Sequence, residues 1–398
     1  MNTFKKRFWN VIAKNRMHAA ALISVLTLAS SPIPASAAIN VYDSLLSAGE
    51  STTFLVKSDG SAFYAAGSNA SGKLGYTGST SNQTVPVQSV GTDIAMIDAG
   101  LSHSVLLRKD GTIWSWGSAT YGETGTGLKT GVSNPPVQNV FLTDVKEVRA
   151  GNNFTLALKQ DGTVWAYGKN SDGQLGIGTK DYSLKPLQVL GISNIVAIDA
   201  GDDFGAALSS DGSLWVWGNG AYGALGQGDK ADQLIPVRYP LDNVQDFAVG
   251  SDRIYVLADG FLYGSGSNSS GKLGDGTTTT RLSPTFINIS NVADIDAGDT
   301  QTLVLKTDGT VWAWGQNSNG EVGDGTKQNA KVPVQVIDTS ALPLTDVIAI
   351  DAGGTHSHAL KADGTLWSWG SNASGQLGTG NIVSERFASR SKFPNPFR

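Results

Sequence analysis

The chain has 398 residues and a formal net charge of −5, with 49 glycines, no cysteine and only 16% charged residues. Without cysteine there is no disulfide framework, thiol nucleophile, Cys-ligated zinc or Cys-held iron–sulfur cluster. A hydrophobic content of 40% is too high for a disordered chain.

Residues 1–37 have the features of a secretory signal peptide. Five Lys and Arg residues form a positive n-region, residues 19–30 form a short apolar h-region, and Ala35-Ser36-Ala37 fits a small-residue cleavage site. The h-region is shorter than the ~20 apolar residues of a spanning helix, so an uncleaved membrane anchor is the weaker alternative. We expect a mature chain starting near Ala38, secreted to the extracellular space or the cell envelope, with no membrane span.

The charge of the remaining chain argues against nucleic acid. The first 37 residues carry five of the 29 basic residues and no acid, so the formal net charge without them is −10. Nucleic-acid-binding proteins carry a basic patch or stripe, and none is visible here. We therefore expect no nucleic-acid partner.

Seven internal repeats fill the rest of the chain. Each unit contains an Asp-Gly pair, and successive pairs are 48 to 55 residues apart. The aspartates of these pairs are Asp59, Asp110, Asp161, Asp211, Asp259, Asp308 and Asp363. One uninterrupted array predicts a single domain over residues 38–398.

Each unit predicts four short strands. The first two resemble residues 94–100 and 103–109, and the Asp-Gly pair follows as a tight hairpin turn of type I′. The third strand carries Trp-x-Trp, a long Gly-rich loop follows it, and a Pro-Val segment forms the fourth strand. Seven four-stranded sheets of this kind predict an all-β, seven-bladed β-propeller.

The end of the seventh unit departs from this pattern. After Gly380 no Pro-Val strand follows, and residues 337–345 lengthen the connection before this unit. Residues 38–41 could complete the last blade, the tail could be a degenerate fourth strand, or the natural product could be truncated. We expect closure by residues 38–41, because an open ring would expose an edge strand.

The units resemble the regulator of chromosome condensation repeat family, here in a bacterial, exported form. The motif is Ala-Gly-x-x-His, then Asp-Gly-x-x-Trp-x-Trp-Gly, then Asn-x-x-Gly-Gln-Leu-Gly, and residues 352–378 follow it almost throughout. The resemblance covers about residues 41–380. WD40 repeats would show Trp-Asp, which is absent, and kelch repeats would show a Gly-Gly pair in each blade. The resemblance implies a seven-bladed propeller.

Nine of the ten tryptophans belong to the repeat motif. They are Trp114, Trp116, Trp165, Trp215, Trp217, Trp312, Trp314, Trp367 and Trp369. They could form a ligand-stacking surface, but Trp-x-Trp on a strand puts both rings on one face, against the neighbouring blade. We interpret them as core and expect Trp312→Ala to cost about 3–5 kcal/mol.

Three further patterns are weak candidates for sites. A ring of channel acids could attract a cation such as calcium, although each could instead hydrogen-bond a backbone N–H of the adjacent turn, which we favour. These acids are Asp98, Asp199, Asp296 and Asp351. His356 and His358 share a strand face, and with His103 we interpret them as structural. Residues 218–223 spell G-x-G-x-x-G, but no helix follows as a dinucleotide site requires.

The loops after the third strands are the predicted place for a partner. They are long and repeated on one rim, and loops on a rigid scaffold commonly carry binding residues. Tyr121 and Tyr222 occupy the same loop position in units two and four. Tyrosine is enriched in interface hot spots, so these two are our partner-binding candidates.

The functional prediction is an exported, non-enzymatic scaffold that binds another protein, as a monomer without metal or cofactor. It rests on the even repeat array, the predicted signal peptide and the absence of a catalytic motif. Two alternatives stay open: a propeller similar to the secreted inhibitors of β-lactamases, and one that binds or cleaves cell-wall carbohydrate. Guanine nucleotide exchange, which the resemblance also implies, is unlikely because the repeat spacing leaves little room for the insertion it uses.

Overall fold

The computed structural model of the protein describes residues 43–76, 80–129 and 133–398. These residues form 28 strands in seven four-stranded antiparallel sheets, with single-turn 3₁₀ helices at Asp43–Leu45, Ala70–Gly72 and Ser269–Gly271. Each sheet is one blade, so the predicted all-β, seven-bladed propeller is confirmed. The predicted signal peptide lies outside the described residues. No helix among the described residues is long and apolar enough to cross a membrane.

Each blade consists of four consecutive strands, and its first strand lines the central channel. Blade 1 contains β1 (Leu46–Ala48), β2 (Thr52–Val56), β3 (Ala62–Gly67) and β4 (Gln83–Val90). Blade 2 contains β5 (Ile94–Ala99), β6 (His103–Arg108), β7 (Ile113–Gly117) and β8 (Ser133–Asn139). Blade 3 contains β9 (Val145–Ala150), β10 (Phe154–Lys159), β11 (Val164–Gly168) and β12 (Ser183–Gln188).

The other four blades repeat this arrangement. Blade 4 contains β13 (Ile195–Ala200), β14 (Phe204–Ser209), β15 (Leu214–Gly218) and β16 (Gln233–Arg238). Blade 5 contains β17 (Val244–Val249), β18 (Arg253–Ala258), β19 (Phe261–Gly266) and β20 (Arg281–Ile287). Blade 6 contains β21 (Val292–Ala297), β22 (Gln301–Lys306), β23 (Val311–Gly315) and β24 (Ala330–Gln335). Blade 7 contains β25 (Val347–Ala352), β26 (His356–Lys361), β27 (Leu366–Gly370) and β28 (Glu385–Arg390).

The Asp-Gly hairpins differ from the prediction in their turn type. In blade 2 the N–H of Arg108 donates to the Thr112 carbonyl, which leaves three loop residues, and of these only Gly111 has a positive φ, +80°. A type I turn followed by a left-handed glycine has this pattern. Blade 5 has two loop residues, Asp259 and Gly260, both with positive φ, as type I′ requires. The predicted type I′ turn is therefore wrong for the other six hairpins, which have three or four loop residues.

The second tryptophan of each pair is buried against the preceding blade. Trp116, Trp217, Trp314 and Trp369 are fully buried. The indole N–H of Trp217 donates to the Gln174 carbonyl of blade 3 at 2.8 Å. Its ring lies against Gly176, where a Cβ would come within 3.0 Å of the indole. A larger residue than glycine would therefore push the two blades apart.

The first tryptophan of each pair is only half-buried. This group comprises Trp114, Trp165, Trp215, Trp312 and Trp367. Lys306 lies over the Trp312 ring at 4.2 Å and covers part of it. Because Trp312 keeps solvent contact, we expect Trp312→Ala to cost less than the 3–5 kcal/mol of a fully buried tryptophan.

The last blade is completed by its own fourth strand. β28 pairs with β27, from Trp367 opposite Arg390 to Gly370 opposite Glu385. Residues 38–41, which we expected to supply this strand, lie outside the described residues, and residues 385–390 occupy the place of the fourth strand. The alternative of a degenerate fourth strand describes the blade, since β28 lacks the proline of the other outer strands.

Residues 391–398 lie beside blade 1 where, in the other blades, the connection from the preceding blade lies. In blade 2 the Lys109 N–H donates to the carbonyl of Asp93, which lies in the connection just before the first strand. The equivalent N–H in blade 1, that of Ser58, donates to the carbonyl of Pro396 in the tail at 2.9 Å. Blade 1 has Ala66 where blades 2, 4, 6 and 7 have the second tryptophan, and Phe393 of the same hydrophobic cluster lies against Gly378 as Trp217 lies against Gly176. The tail thus closes the ring by filling positions that a connection and a tryptophan fill elsewhere.

The lengthened connection before blade 7 covers an outer edge. Six outer strands have proline at one shared position: Pro86, Pro136, Pro186, Pro236, Pro284 and Pro333. Blade 7 has Ala388 there, and its N–H donates to the carbonyl of Ile337 at 2.9 Å. Proline removes a donor from an exposed edge, whereas blade 7 uses its own chain to cover the donor.

Candidate functional site: the loop face and the channel

The topology sorts the irregular segments onto two faces of the propeller. Because neighbouring strands are antiparallel, the turns between first and second strands lie on the same face as the loops between third and fourth strands. We call this the loop face. The opposite hairpin face carries the Asp-Gly hairpins and the connections to the next blade.

A buried asparagine holds five of the seven long loops. In blade 3 the Asn170 side-chain oxygen accepts the N–H of Leu175 at 2.9 Å, and its amide donates to the carbonyls of Thr179 and Asp181. The equivalent asparagines are Asn69, Asn268, Asn317 and Asn372. Since one side chain satisfies backbone groups at both ends of the loop, these loops are cross-braced.

The two tyrosine loops are the ones that lack this asparagine. Blade 2 has Ala119 and blade 4 has Gly220 at its position. Tyr121 is 41% exposed and Tyr222 is 53% exposed, both on the loop face. The loop of blade 3 lies between them, so the structure places them on one face without bringing them together. The G-x-G-x-x-G segment 218–223 forms the blade 4 loop and does not open a helix.

The four predicted channel acids join neighbouring blades. Each carboxylate accepts the backbone N–H of the first strand in the next blade. The pairs are Asp98 with Ala150 at 2.7 Å, Asp199 with Val249 at 2.7 Å, Asp296 with Ala352 at 2.5 Å and Asp351 with Ala48 at 3.0 Å. The partners are therefore backbone N–H groups, as in the favoured interpretation; each acid accepts one from the next blade, and Asp199 and Asp296 also accept the N–H of the residue that follows them.

The channel is acidic, and its aspartates are half-buried. Its cavity of about 290 Å³ is lined by ten carboxylates and one arginine, Arg149. Burial raises the pKa of Asp199 to about 7, although Arg149 opposes the shift, and burial raises the pKa of Asp246 to about 7. Burial also raises the pKa of Asp296. Near neutral pH the channel therefore holds fewer charges than its composition suggests.

Carboxylates also surround the mouth of the channel on the loop face. Burial, reinforced by Asp299 and Asp203, raises the pKa of Asp202 to about 7. Burial and the Glu50 carboxylate raise the pKa of Asp299. The Asp203 carboxylate forms an ion pair with the Lys169 ammonium at 2.8 Å, so its charge is compensated. The mouth presents Glu50, Asp202 and Asp299 as its least compensated acids.

The described residues contain no group of three or more His, Asp or Glu side chains arranged to hold a metal ion. Calcium binding by the channel acids thus stays an untested prediction. His356 and His358 are buried between blades 7 and 1, with ring centroids 5.0 Å apart, and both contact the Thr53 hydroxyl. Burial lowers the pKa of His356 to about 3 and that of His103 to about 4, so both rings are neutral.

Sequence reasoning missed the acids at the mouth. Glu50, Asp202 and Asp299 occupy one repeat position, directly after the glycine that follows a first strand. Aligning the repeats at that position would have revealed them. It also missed Arg253, which replaces the repeat histidine in blade 5, is fully buried and donates to the carbonyls of Gly298 and Gln301.

Family profiles match most of the chain. The RCC1-like domain profile matches residues 29–293. The regulator of chromosome condensation (RCC1) repeat matches residues 308–360 and 363–396, and a second profile of that repeat matches residues 292–321 and 347–376.

Individual proteins show the same likeness. Human E3 ubiquitin-protein ligase HERC2 is 32% identical over 121 residues, which are 29% of this chain and 2% of HERC2. The structure of human WBSCR16 has a TM-score of 0.72 at 25% identity, covering 81% of this chain and 92% of its own. The structure of Prp20p from Saccharomyces cerevisiae, described together with its binding to Gsp1p and histones, has a TM-score of 0.72 at 21% identity and covers 82% and 85%. The chain thus spans only a small part of HERC2, and the likeness to Prp20p is one of fold.

Proposed function

The chain belongs to the RCC1-like domain family, and from that premise we propose that its propeller is a non-enzymatic scaffold that binds another protein on the loop face. The observation that carries this proposal is the pairing of two features in the same loops. The loops of blades 2 and 4 lack the bracing asparagine and also expose a tyrosine at the same loop position, whereas the tyrosine that the braced blade 3 loop exposes, Tyr182, lies at the end of its loop, directly before β12. Exposed tyrosine on an adaptable loop is typical of a protein-binding surface.

The two tyrosine loops are held differently, and in blade 4 the Gly220 N–H donates to Asp232 and the Ala221 N–H to Asn219. In blade 2 the Glu123 carboxylate accepts the Tyr121 N–H at 2.8 Å and braces the loop from within. Blade 4 has Ala224 at that position, so Tyr222 lies in a loop with neither brace. We propose that Tyr121 is the preformed contact and that Tyr222 adjusts to the partner.

The predicted signal peptide places this binding outside the cytoplasm, and export remains part of the proposal. N-terminal sequencing of the protein from its own cell tests it, with a mature N-terminus near Ala38 as the expected result. Nothing in the described residues favours the β-lactamase-inhibitor or cell-wall carbohydrate alternatives.

The test of the function is affinity capture with matched variants. The full chain is immobilised and exposed to culture supernatant and envelope extract from the source cell. The double variant Y121A/Y222A removes both exposed rings. The control V140A changes a residue that is 72% exposed on the connection after β8, on the hairpin face.

We expect one saturable protein to be retained by the wild type and by V140A. Loss of hot-spot tyrosines reduces its affinity at least about tenfold in Y121A/Y222A. Equal retention by all three proteins contradicts the loop-face assignment, and no saturable protein in either fraction contradicts the scaffold function.

A further inference from the structure

Blade 5 exposes an aromatic cluster on its rim. The rings of Phe261 and Tyr263 each meet Phe286 edge-on, with centroids 6.1 Å apart in both pairs. Phe261 is 53% exposed and Phe286 is 48% exposed. We call these three residues the rim aromatics. They leave a large apolar area in contact with water, which costs free energy unless something covers it.

Other blades cover the same position with a cation. Arg108 lies over Trp114 at 4.3 Å in blade 2, and Lys306 lies over Trp312 at 4.2 Å in blade 6. Blade 5 has Ala258 at the position of the cation, and Phe261 where blades 2, 3, 6 and 7 have threonine. The substitutions remove the cover and enlarge the apolar surface together.

A cleft between blades 4 and 5 continues this surface. Its volume is about 330 Å³, and it is lined by Gly226, Gln227, Pro240, Leu241, Ser283 and Pro284. Leu241 packs on the same hydrophobic cluster as Tyr263. Pro284 and Phe286 are two residues apart in β20 and therefore point to the same side of the strand. The cleft, whose lining includes the polar Gln227 and Ser283, and the rim aromatics thus lie next to each other along the boundary of blades 4 and 5, and we call the two together the strip.

The corresponding cleft between blades 3 and 4 is filled by side chains, whereas between blades 5 and 6 a Cβ at Gly276 would meet only Val332, at 3.8 Å. A Cβ at Gly178, between blades 3 and 4, would meet Leu190 and Ile235 at 3.6 and 3.7 Å. At the equivalent Gly228 it would meet, among the described residues, only the Ser283 hydroxyl at 3.7 Å. The cleft is open because Ser283 is smaller than its counterparts.

Blade 7 shows which kind of segment fits this place. There the chain's own connection lies along the outer strand, and Ile337 packs beside Gly325 and Phe387. Its carbonyl accepts the Ala388 N–H at 2.9 Å. An extended segment with an aliphatic side chain therefore fills the cleft in that blade.

Charge and ring geometry narrow the occupant at blade 5. The two arginines beside the strip are paired, Arg238 with Asp242 and Arg281 with Asp275, so neither offers a free positive charge. The ring planes of Phe261 and Tyr263 are inclined to that of Phe286 by 64° and 69°. This uneven surface suits compact side chains, whereas a sugar ring would need a flat aromatic face to stack on. Pro284 has no N–H to donate, so side chains must supply most of the contact.

We propose that the strip formed by this cleft and the rim aromatics binds an extended, uncharged segment of a partner protein through aliphatic side chains. The cleft borders the loop face through Gly226 and Gln227 of the blade 4 loop, but neither Tyr121 nor Tyr222 lines it, so this site does not require the tyrosine contacts. Strand-like peptides bury alternate side chains, so the anchors are expected at positions i and i+2.

The test uses a phage-displayed library of random 12-residue peptides, panned on the full chain. S283F fills the cleft with the residue that blade 7 has at the same position, and F261S removes an exposed ring. Both positions are exposed, so both variants retain the fold. V332S, an exposed position on the outer strand of blade 6, and Y121A/Y222A are the controls.

We expect enriched peptides with two aliphatic residues at i and i+2, weakened at least about tenfold by S283F and by F261S. V332S and Y121A/Y222A should leave their affinity unchanged. The proposal is overturned if no peptide is enriched, if the enriched peptides bind S283F and F261S as tightly as the wild type, or if they are charged.

Discussion

The two faces of the propeller differ in what varies from blade to blade. On the hairpin face the same aspartate, glycine and hydroxyl residues recur, and the connections and the C-terminal tail tie each blade to the next. On the loop face the position of Tyr121 holds serine, aspartate, tyrosine or asparagine in different blades. Apart from blade 5, where Phe261 replaces the hydroxyl residue, the repeat keeps the hairpin face uniform, whereas the loop face diverges, which is where a binding surface is expected.

The electrostatics of the two faces differ in the same way. On the hairpin face, hydrogen bonds from the Thr112 hydroxyl and N–H lower the pKa of Asp110, and similar bonds lower that of Asp161 and Asp308. At the loop-face mouth, burial and neighbouring carboxylates raise the pKa of Asp202. Asp110 at the hairpin is therefore stabilised as a carboxylate and Asp202 at the mouth is not, although, against the effect of burial, cations and hydrogen bonds lower the pKa of Asp252 and Asp275 on the loop face.

The largest stability effect is expected from the tail on the hairpin side. Phe393 is 6% exposed and packs between blades 7 and 1. F393A should lower the free energy of unfolding by about 3–5 kcal/mol, as for other buried phenylalanines. Urea unfolding measures it, with I382A, a 62% exposed position in blade 7, as the control. A loss under about 1 kcal/mol would show that the tail does not close the ring.

The next effect contrasts a loop brace with a hairpin aspartate in the same blade. N317A leaves the buried N–H of Val322 without its acceptor and should cost about 2–3 kcal/mol. D308A removes hydrogen bonds to Thr310 at an exposed turn and should cost about 1 kcal/mol. If D308A proves as costly as N317A in urea unfolding, the faces do not differ in how their turns are held.

A smaller effect is expected in the pH dependence of stability. The folded pKa of Asp202, about 7, lies above its unfolded value of about 3.9, so the folded state binds the extra proton between these values. Stability from this group is full below pH 4 and is lost as the pH rises through 7.

Two variants distinguish the pH-dependent contribution of Asp202 to stability from that of the buried histidines. D202N should reduce the fall in melting temperature between pH 5 and pH 7.5 relative to the wild type. D110N, on the hairpin face, should leave that fall unchanged, because the lowered pKa of Asp110 puts its titration below the window. Identical changes in both variants would contradict the electrostatic contrast.

The sequence predicts the fold well because the repeats encode it locally. An Asp-Gly pair, a Trp-x-Trp strand and a Gly-rich loop define each blade without reference to the rest of the chain. The turn type was missed because it depends on how many residues lie between the last paired residues, as the contrast between Gly111 and Asp259 shows.

Features that depend on neighbouring blades could not be predicted in this way. The hydrogen bond from the Ala150 N–H to the Asp98 carboxylate joins residues that are 52 positions apart and lie on different blades. Phe393 replaces a tryptophan that blade 1 lacks, and only three-dimensional position relates the two. The strip on blade 5 did leave a signal, since Ala258 and Phe261 both break the repeat, but its cleft needs the geometry of two blades.

The most direct test of the loop-face assignment is a hydrogen-exchange footprint of the captured partner on the full chain. Backbone amides report local protection, so bound and free chains can be compared loop by loop. We predict slower exchange in residues 118–126 and 219–227, around Tyr121 and Tyr222, and no change in the hairpins at 108–112 and 209–213. Protection of the hairpins with unchanged exchange in both tyrosine loops would contradict it.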